Sequence, residues 1–214
     1  MLIGERMSHP VITIPPDMSI MNALALLRRE RIRRAPIVSN GVLVGIVSDH
    51  DLLNAAPSQA TSLSMWEVNY LLTKVTVSDV MASNVITVNV ETPIEEAARI
   101  MADNKIGGLP VLKDGKLVGI ITETDIFKLF LELMGARDAG VRVTALVYEK
   151  PGELAKLTKA VTESGGNFIA FGIFAGDDVT NREVTFKVSG ISEATAREAI
   201  EPYVESIKDI RSQT

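Results

Sequence analysis

The sequence predicts a mixed α/β (α+β) chain: one strand–helix–strand–turn–strand–helix unit used twice, then a βαββαβ unit of different pattern. Three observations carry this. The first 52 residues return 74 positions later without a gap, so MSHPVITI at Met7–Ile14 reappears as MASNVITV at Met81–Val88. In that register Val11/Val85, Thr13/Thr87, Ile20/Ile94, Ala23/Ala97, Pro36/Pro110, Gly41/Gly115, Gly45/Gly119 and Asp51/Asp125 are identical. After Gly135 the repeat stops and a new order of strands and helices begins. A unit repeated in this detail buries one core between its copies, and a site made by one copy can exist twice.

In the first copy Ser19 stands at a helix cap, followed by Ile20, Ala23, Leu24 and Leu27 at helical spacing. The second copy has Thr92-Pro93-Ile94-Glu95, which reads as cap, first-position proline and acid, followed by Ile94, Ala97, Ala98 and Met101. Pro36–Val38 and Leu109–Leu112 read as short strands. Asn40-Gly41 and Asp114-Gly115 suit a two-residue hairpin turn, whose central residues both need positive φ. Val42–Val47 and Leu117–Ile121 return as buried strands, and Ser48 and Thr122 cap helices starting at Asp49 and Glu123. Between the copies Ala55–Leu63 reads as a loop. Met65–Leu72 reads as a short helix, with Trp66 and Tyr70 anchoring it to the module.

Beyond the repeat, Arg142–Tyr148 reads as a strand, Glu153–Ser164 as a helix opened by Pro151-Gly152 and closed by Gly165-Gly166, and Asn167–Phe174 as a strand. Glu183–Val188, Ser192–Val204 and Glu205–Ile210 complete strand, helix and strand. That order is the ferredoxin-like split unit. The expected domains are 1–74 (first copy with its connecting insert), 75–135 (second copy) and 139–214.

Composition narrows the function. The 214 residues are 46% hydrophobic and 23% charged, a normal globular balance, with a net charge of −5. An acidic chain is not expected to bind nucleic acid or an anionic membrane. The absence of cysteine excludes disulfides, cysteine zinc sites, iron–sulfur clusters and thiol nucleophiles, and fits a reducing compartment. Apolar runs such as Leu117–Ile121 fall far short of the ~20 residues of a membrane span, and the N-terminus lacks a signal-peptide core. A cytoplasmic location is expected. His9 and His50 do not read as a metal pair. No Ser-His-Asp grouping or Walker loop suggests an enzyme, and Glu95-Glu96 reads as an exposed helix face.

The repeated chemistry lies in GIVSDHD (Gly45–Asp51) and GIITETD (Gly119–Asp125). Each puts a hydroxyl and a carboxylate three residues apart, on one face of a helix's first turn. The free amides there attract phosphate, Ser48 or Thr122 can join that contact, and Asp51 or Asp125 suits the paired hydroxyls of a ribose. Thr13 and Thr87 add a hydroxyl at the ends of their strands. The same residues also make an ordinary capping box.

The pattern h-x-h-h-P, hairpin turn, G-h-h-[ST]-x-x-D, occurring twice over about residues 1–133, resembles a tandem pair of cystathionine-β-synthase (CBS) domains. The resemblance implies two clefts that bind an adenosyl ligand: AMP, ADP, ATP or S-adenosylmethionine, none of them covalent. It implies ribose on Asp51 and Asp125, with Ser48 and Thr122 near ribose or phosphate. Backbone around Arg33, Arg34, Ala35 and Pro36, and around Gly107, Gly108, Leu109 and Pro110, would read the adenine edge between apolar residues such as Ile14, Ile46, Val88 and Ile120. Arg33-Arg34 is expected to favour polyphosphates in the first cleft and Gly107-Gly108 to leave the second less selective. Arg28, Arg29 and Arg31 read equally well as a solvated helix end.

The last domain resembles the ACT family, carried by Tyr148-Glu149-Lys150-Pro151-Gly152-Glu153-Leu154 and Gly165-Gly166-Asn167-Phe168-Ile169. ACT domains commonly hold small effectors at subunit interfaces, which implies a site including Glu149, Pro151, Gly152, Asn167, Phe168 and Ile169. Where that family usually has Asp, this chain has Glu149. The full arrangement is most similar to the bacterial acetoin-utilization AcuB group, which implies a non-catalytic, homodimeric ligand sensor acting on a downstream protein. The alternative is an assembly module with empty clefts.

Overall fold

Each copy of the repeat folds around an antiparallel hairpin. In the computed structural model, which describes residues 1–55 and 75–213, β1 (Arg34–Ser39) pairs with β2 (Val42–Ser48). Asn40-Gly41 joins them at φ 51° and 80°, both in the left-handed region the turn requires. Helix α1 (Ile20–Arg29) precedes this hairpin and α2 (Asp49–Asn54) follows it. Ile20, Ala23, Leu24 and Leu27 of α1 pack on Ala35, Ile37, Val47 and Leu52, and the Ser19 hydroxyl accepts from Asn22 N at 3.3 Å as the cap.

The second copy repeats the plan with β3 (Val88–Asn89), α3 (Ile94–Asn104), β4 (Gly108–Lys113), β5 (Lys116–Thr122) and α4 (Glu123–Leu133). Its turn, Asp114-Gly115, has φ 50° and 73°, and the register slips at the same place in both hairpins, after Ile37 and after Val111. One expectation is corrected. Thr92 does not cap α3: its hydroxyl accepts from Asn89 N at 3.1 Å, and the first helical amide, Ile94 N, donates to Met1 O at 3.2 Å. The chain's own N-terminus has taken the capping role.

That bond belongs to an exchange of arms. Residues 1–8 lie on the second copy, with Leu2 bridging Pro93 and Ser8 bridging Ile120. At the corresponding positions Thr76 bridges Ser19 and Ala82 bridges Ile46, so residues 75–82 lie on the first copy and Val77 is fully buried in its core. Gly45 and Gly119 make room for this. A Cβ on either would stand 2.4 Å from the sulfur of Met81 or Met7, respectively. The insert containing Trp66 and Tyr70 lies outside the described residues.

The chain divides into two compact units, Met1–Ile126 and Phe127–Thr214. The second carries β6 (Gly140–Tyr148), α5 (Glu153–Glu163), β7 (Asn167–Ala175), β8 (Asn181–Ser189), α6 (Glu193–Ile200) and β9 (Ser206–Gln213). The four strands form an antiparallel sheet in the order β7-β8-β6-β9, the connectivity of a ferredoxin-like unit. Val143, Val147, Val184 and Phe186 face Leu157, Val161, Ala196 and Ile200 of the two helices. Gly152 (φ 91°) and Gly165 (φ 89°) stand at the two ends of α5. Helix α6 stops at Ile200 rather than reaching Val204. Pro202 has no amide to continue the ladder, and Glu201–Tyr203 forms a 3-10 turn instead.

Candidate functional site

The two helix starts hold their carboxylates alike, and the first is a reciprocal capping box. Asp51 Oδ2 accepts from Ser48 N at 2.8 Å and from Ser48 Oγ at 2.7 Å, while Ser48 Oγ accepts from Asp51 N at 3.2 Å. Asp125 Oδ2 accepts from Thr122 N at 3.0 Å and Thr122 Oγ1 at 2.7 Å. In each, one carboxylate oxygen is fixed by the helix start. Among the described residues the other has no hydrogen-bond partner. Both carboxylates are half-buried. They present one oriented acceptor oxygen each. The expected phosphate contact at the helix start is corrected: in α2 Asp49 N donates to Arg33 O at 2.8 Å, His50 N to Asp49 Oδ1 at 2.9 Å and Asp51 N to Ser48 Oγ, and in α4 Glu123 N donates to Gly107 O at 3.1 Å.

The box at Ser48 and Asp51 opens onto a cleft of about 380 Å³. Ile46, Val47 and Arg34 line it from the first copy, Asn84, Val85 and Ile86 from the segment leading into β3, and Lys105, Ile106, Gly107 and Gly108 from the end of α3 and start of β4. This corrects the expected grouping. Gly107 and Gly108 belong to the cleft of Asp51, in company with Arg34, and not to a separate arginine-free cleft. The arm exchange is the cause: Ala82, bridged to Ile46, delivers Asn84–Ile86 beside Ser48. Thr13 is exposed, whereas Ile14, Ala35, Pro36, Val88, Leu109 and Pro110 are buried with the strands they flank, and Thr87 is half-buried. Arg33 is exposed.

Sequence reasoning missed Lys105, Ile106 and Asn84–Ile86. A signal for the first existed: Lys105 and Arg31 occupy equivalent repeat positions, both basic, and both have left-handed φ, 54° and 55°. Arg34 is half-buried and, among the described residues, makes no hydrogen bond or ion pair. Burial pulls its guanidinium below the ordinary arginine value, opposed by the nearby carboxylates of Glu123, Asp49 and Asp51. Among the described residues no cluster of His, Asp or Glu can hold a metal, and His50 is exposed beside Asn54.

In the second unit the six expected effector residues do not converge. Glu149, Pro151 and Gly152 follow Tyr148, which pairs with Asn181; Asn167 pairs with Ser189. Eight residues of β8 separate those levels, roughly 26 Å at ~3.3 Å per residue. Glu149 forms an ion pair with Arg182. Phe168 packs in the helix-side core, its ring centroid 5.4 Å from that of Phe186, and Ile169 is the unpaired residue of a bulge in β7. On the opposite sheet face Lys187, 2% exposed, donates to Gly135 O at 2.8 Å and Asp138 O at 2.9 Å.

The family model for the CBS domain matches residues 3–58 and 77–132. The CBS domain pair of protein MJ0100, solved with 5′-methylthioadenosine and S-adenosyl-L-methionine, is 32% identical with a TM-score of 0.52, covering 64% of this chain and 98% of that one. A protein of Vibrio cholerae assigned to acetoin utilization (AcuB) is 30% identical with a TM-score of 0.53, covering 64% and 96%. CBSX2, solved with AMP, is 31% identical with a TM-score of 0.52, covering 62% and 97%. The chain spans between 23% and 96% of the length of curated relatives it matches, and a few of these carry enzyme names. Among the described residues no helix is long and apolar enough to cross a membrane.

Proposed function

The chain belongs to the CBS domain family, and on that premise we propose that it is a non-catalytic regulatory protein whose clefts bind an adenosyl ligand. The observation that carries this is the Asp51 carboxylate lining the 380 Å³ cleft, one oxygen fixed by Ser48 and the other without a hydrogen-bond partner among the described residues. An acceptor without donors of its own suits the two hydroxyls of a ribose. Ile46, Val85 and Ile86 offer an apolar wall to a base. Asp125 and Thr122 would serve a second ligand in the same way. Solved relatives that hold AMP, S-adenosylmethionine and methylthioadenosine support the ligand class.

Binding regulates only insofar as the ligand favours one packing of the two copies over another. The exchanged arms make that packing responsive, because the Asp51 cleft draws residues from both copies. We read the ferredoxin-like unit as an ACT-like domain that pairs with a second copy. Within one chain Glu149–Gly152 and Asn167–Ile169 stand at opposite ends of the sheet, so an effector site using both needs two chains. Light scattering at micromolar concentration should give a homodimer, and a monomer with and without nucleotide refutes that part. The location in this reading is cytoplasmic, with an unidentified protein downstream.

Calorimetry with AMP, ADP, ATP, S-adenosylmethionine and NADH tests the whole. Saturable binding without turnover supports a sensor. Binding of none of the five leaves an assembly module, and turnover of any would make the protein an enzyme.

A further inference from the structure

Each exchanged arm is held by two apolar side chains of different chemistry. Ile3 and Val77 are fully buried. Four residues later come Met7 and Met81, whose amides donate back to Ile3 O at 2.8 Å and Val77 O at 2.9 Å. The two methionines lie across Gly119 and Gly45. A Cβ on either glycine would stand 3.0 Å from the methionine Cγ, nearer still to its sulfur, and 3.1 or 3.2 Å from Ser8 O or Ala82 O. Unlike Ile3 and Val77, both methionines are only half-buried. Each side chain therefore lies flat on backbone while part of it stays open to solvent.

In a chain without cysteine, methionine is the only sulfur an oxidant can reach. A hydroperoxide converts the thioether to a sulfoxide. The sulfur lone pair takes the distal peroxide oxygen, the O–O bond breaks, and the other oxygen leaves as water or an alcohol. Sulfur loses two electrons and the peroxide gains them. The product is a polar acceptor where an apolar group stood. At both seats the neighbouring backbone donors are already spent. Ile120 N donates to Ser8 O at 3.2 Å and Ser8 N to Ile120 O at 2.9 Å, while Ile46 N donates to Ala82 O at 3.0 Å and Ala82 N to Ile46 O at 2.9 Å. A sulfoxide oxygen beside Ser8 O or Ala82 O sets acceptor against acceptor, and the oxidised side chain leaves its seat.

We propose that Met7 and Met81 are sulfoxidation sites through which a hydroperoxide loosens the exchanged arms. Ile3 and Val77 are hydrocarbon and keep each arm attached, so the loosening is confined to the stretch from the methionine onward. For Met81 that stretch runs through the Ala82–Ile46 bridge to Asn84–Ile86, which line the Asp51 cleft. Oxidation thus loosens one wall of that cleft, whatever the cleft binds. A sulfoxide reductase reverses the step, the oxygen leaving as water while two thiols become a disulfide.

The test is titration of the full chain with hydrogen peroxide, read by peptide mass mapping and amide hydrogen exchange. Met7 and Met81 should each gain one oxygen after Met1 and Met21, which are 54% and 47% exposed, and well before Met101, which is 3% exposed. Exchange at Ser8, Ile120, Ala82 and Ile46 should then quicken about tenfold or more, the effect of one polar group left without a partner. Val143 and Val184, in the ferredoxin-like sheet, should exchange as before. The Met7→Leu/Met81→Leu protein, close to the original in side-chain volume, should keep slow exchange at the same dose. Met7 and Met81 as resistant as Met101, or oxidised with unchanged exchange at the bridges, overturns the proposal. Both of those results come from the unaltered chain, so the test does not depend on the leucine variant folding. Equal quickening in a folded leucine variant overturns it too, by assigning the response to another methionine.

Discussion

Replacing Asp51 by alanine removes two things that can be measured apart. The first is the helix start: Oδ2 no longer accepts from Ser48 N and Oγ, bonds of 2.8 and 2.7 Å in a half-buried setting. Losing one side of a capping box costs about 1 kcal/mol of stability. The second is Oδ1, without a hydrogen-bond partner among the described residues, and its share of the proposed ribose contact. Two hydrogen bonds to a charged acceptor, each worth roughly 1.5–3 kcal/mol and partly replaced by water, imply a loss of about 2–4 kcal/mol in binding. At ~1.4 kcal/mol per tenfold, the dissociation constant should rise between about 30-fold and several hundredfold. Calorimetry with AMP reads the binding term and urea unfolding the stability term. Ser48→Ala is the control, because it disturbs the same cap and leaves the carboxylate in place. If it weakens AMP binding as much as Asp51→Ala does, the carboxylate matters only as a helix start. Unchanged affinity and stoichiometry in Asp51→Ala would sink the ribose assignment outright.

Two further outcomes follow from packing. Gly45→Ala and Gly119→Ala each bring a Cβ to 2.4 Å from a methionine sulfur and within 3.2 Å of a backbone oxygen on the exchanged arm. Both should lower stability to urea by about 1–3 kcal/mol, and wild-type stability in either would show that the arms do not seat as described. Lys187→Met should destabilise the ferredoxin-like unit by roughly 2–4 kcal/mol, because it orphans the Gly135 and Asp138 carbonyls, with relief of the buried charge offsetting part of the loss. An unchanged unfolding midpoint would mean those carbonyls find other donors.

Much of this was legible in the residues because local chemistry decided it. Asn40-Gly41 and Asp114-Gly115 specify their turns through φ alone, and Ser48 with Asp51 builds its box within four residues. The pairing of partners across the repeat was not legible. Two identical units do not say whose strand lies beside whose cleft, so Gly107 and Gly108 were assigned away from Asp51. Thr92 looked like a cap until Met1 O, more than 90 positions away in sequence, supplied the acceptor instead. Lys187 was hidden for a related reason. It occupies the polar phase of an alternating strand, which reads as a solvated face, and only the fold shows residues 135–138 wrapped over its ammonium.

The exchanged arms also bear on how such a chain is made. The first copy cannot close its core until Val75 and Val77 have been synthesised, because Val77 is fully buried among its helices and strands. Synthesis of the second copy is under way before the first is complete, and the second is closed in turn by residues 1–8, which precede the first. Neither half completes its own packing with its own arm. A lone copy could fill the gap only by borrowing an arm from another molecule, and two molecules lending arms to each other would reproduce every bridge seen here. The repeat therefore has the geometry of a swapped dimer written into a single chain.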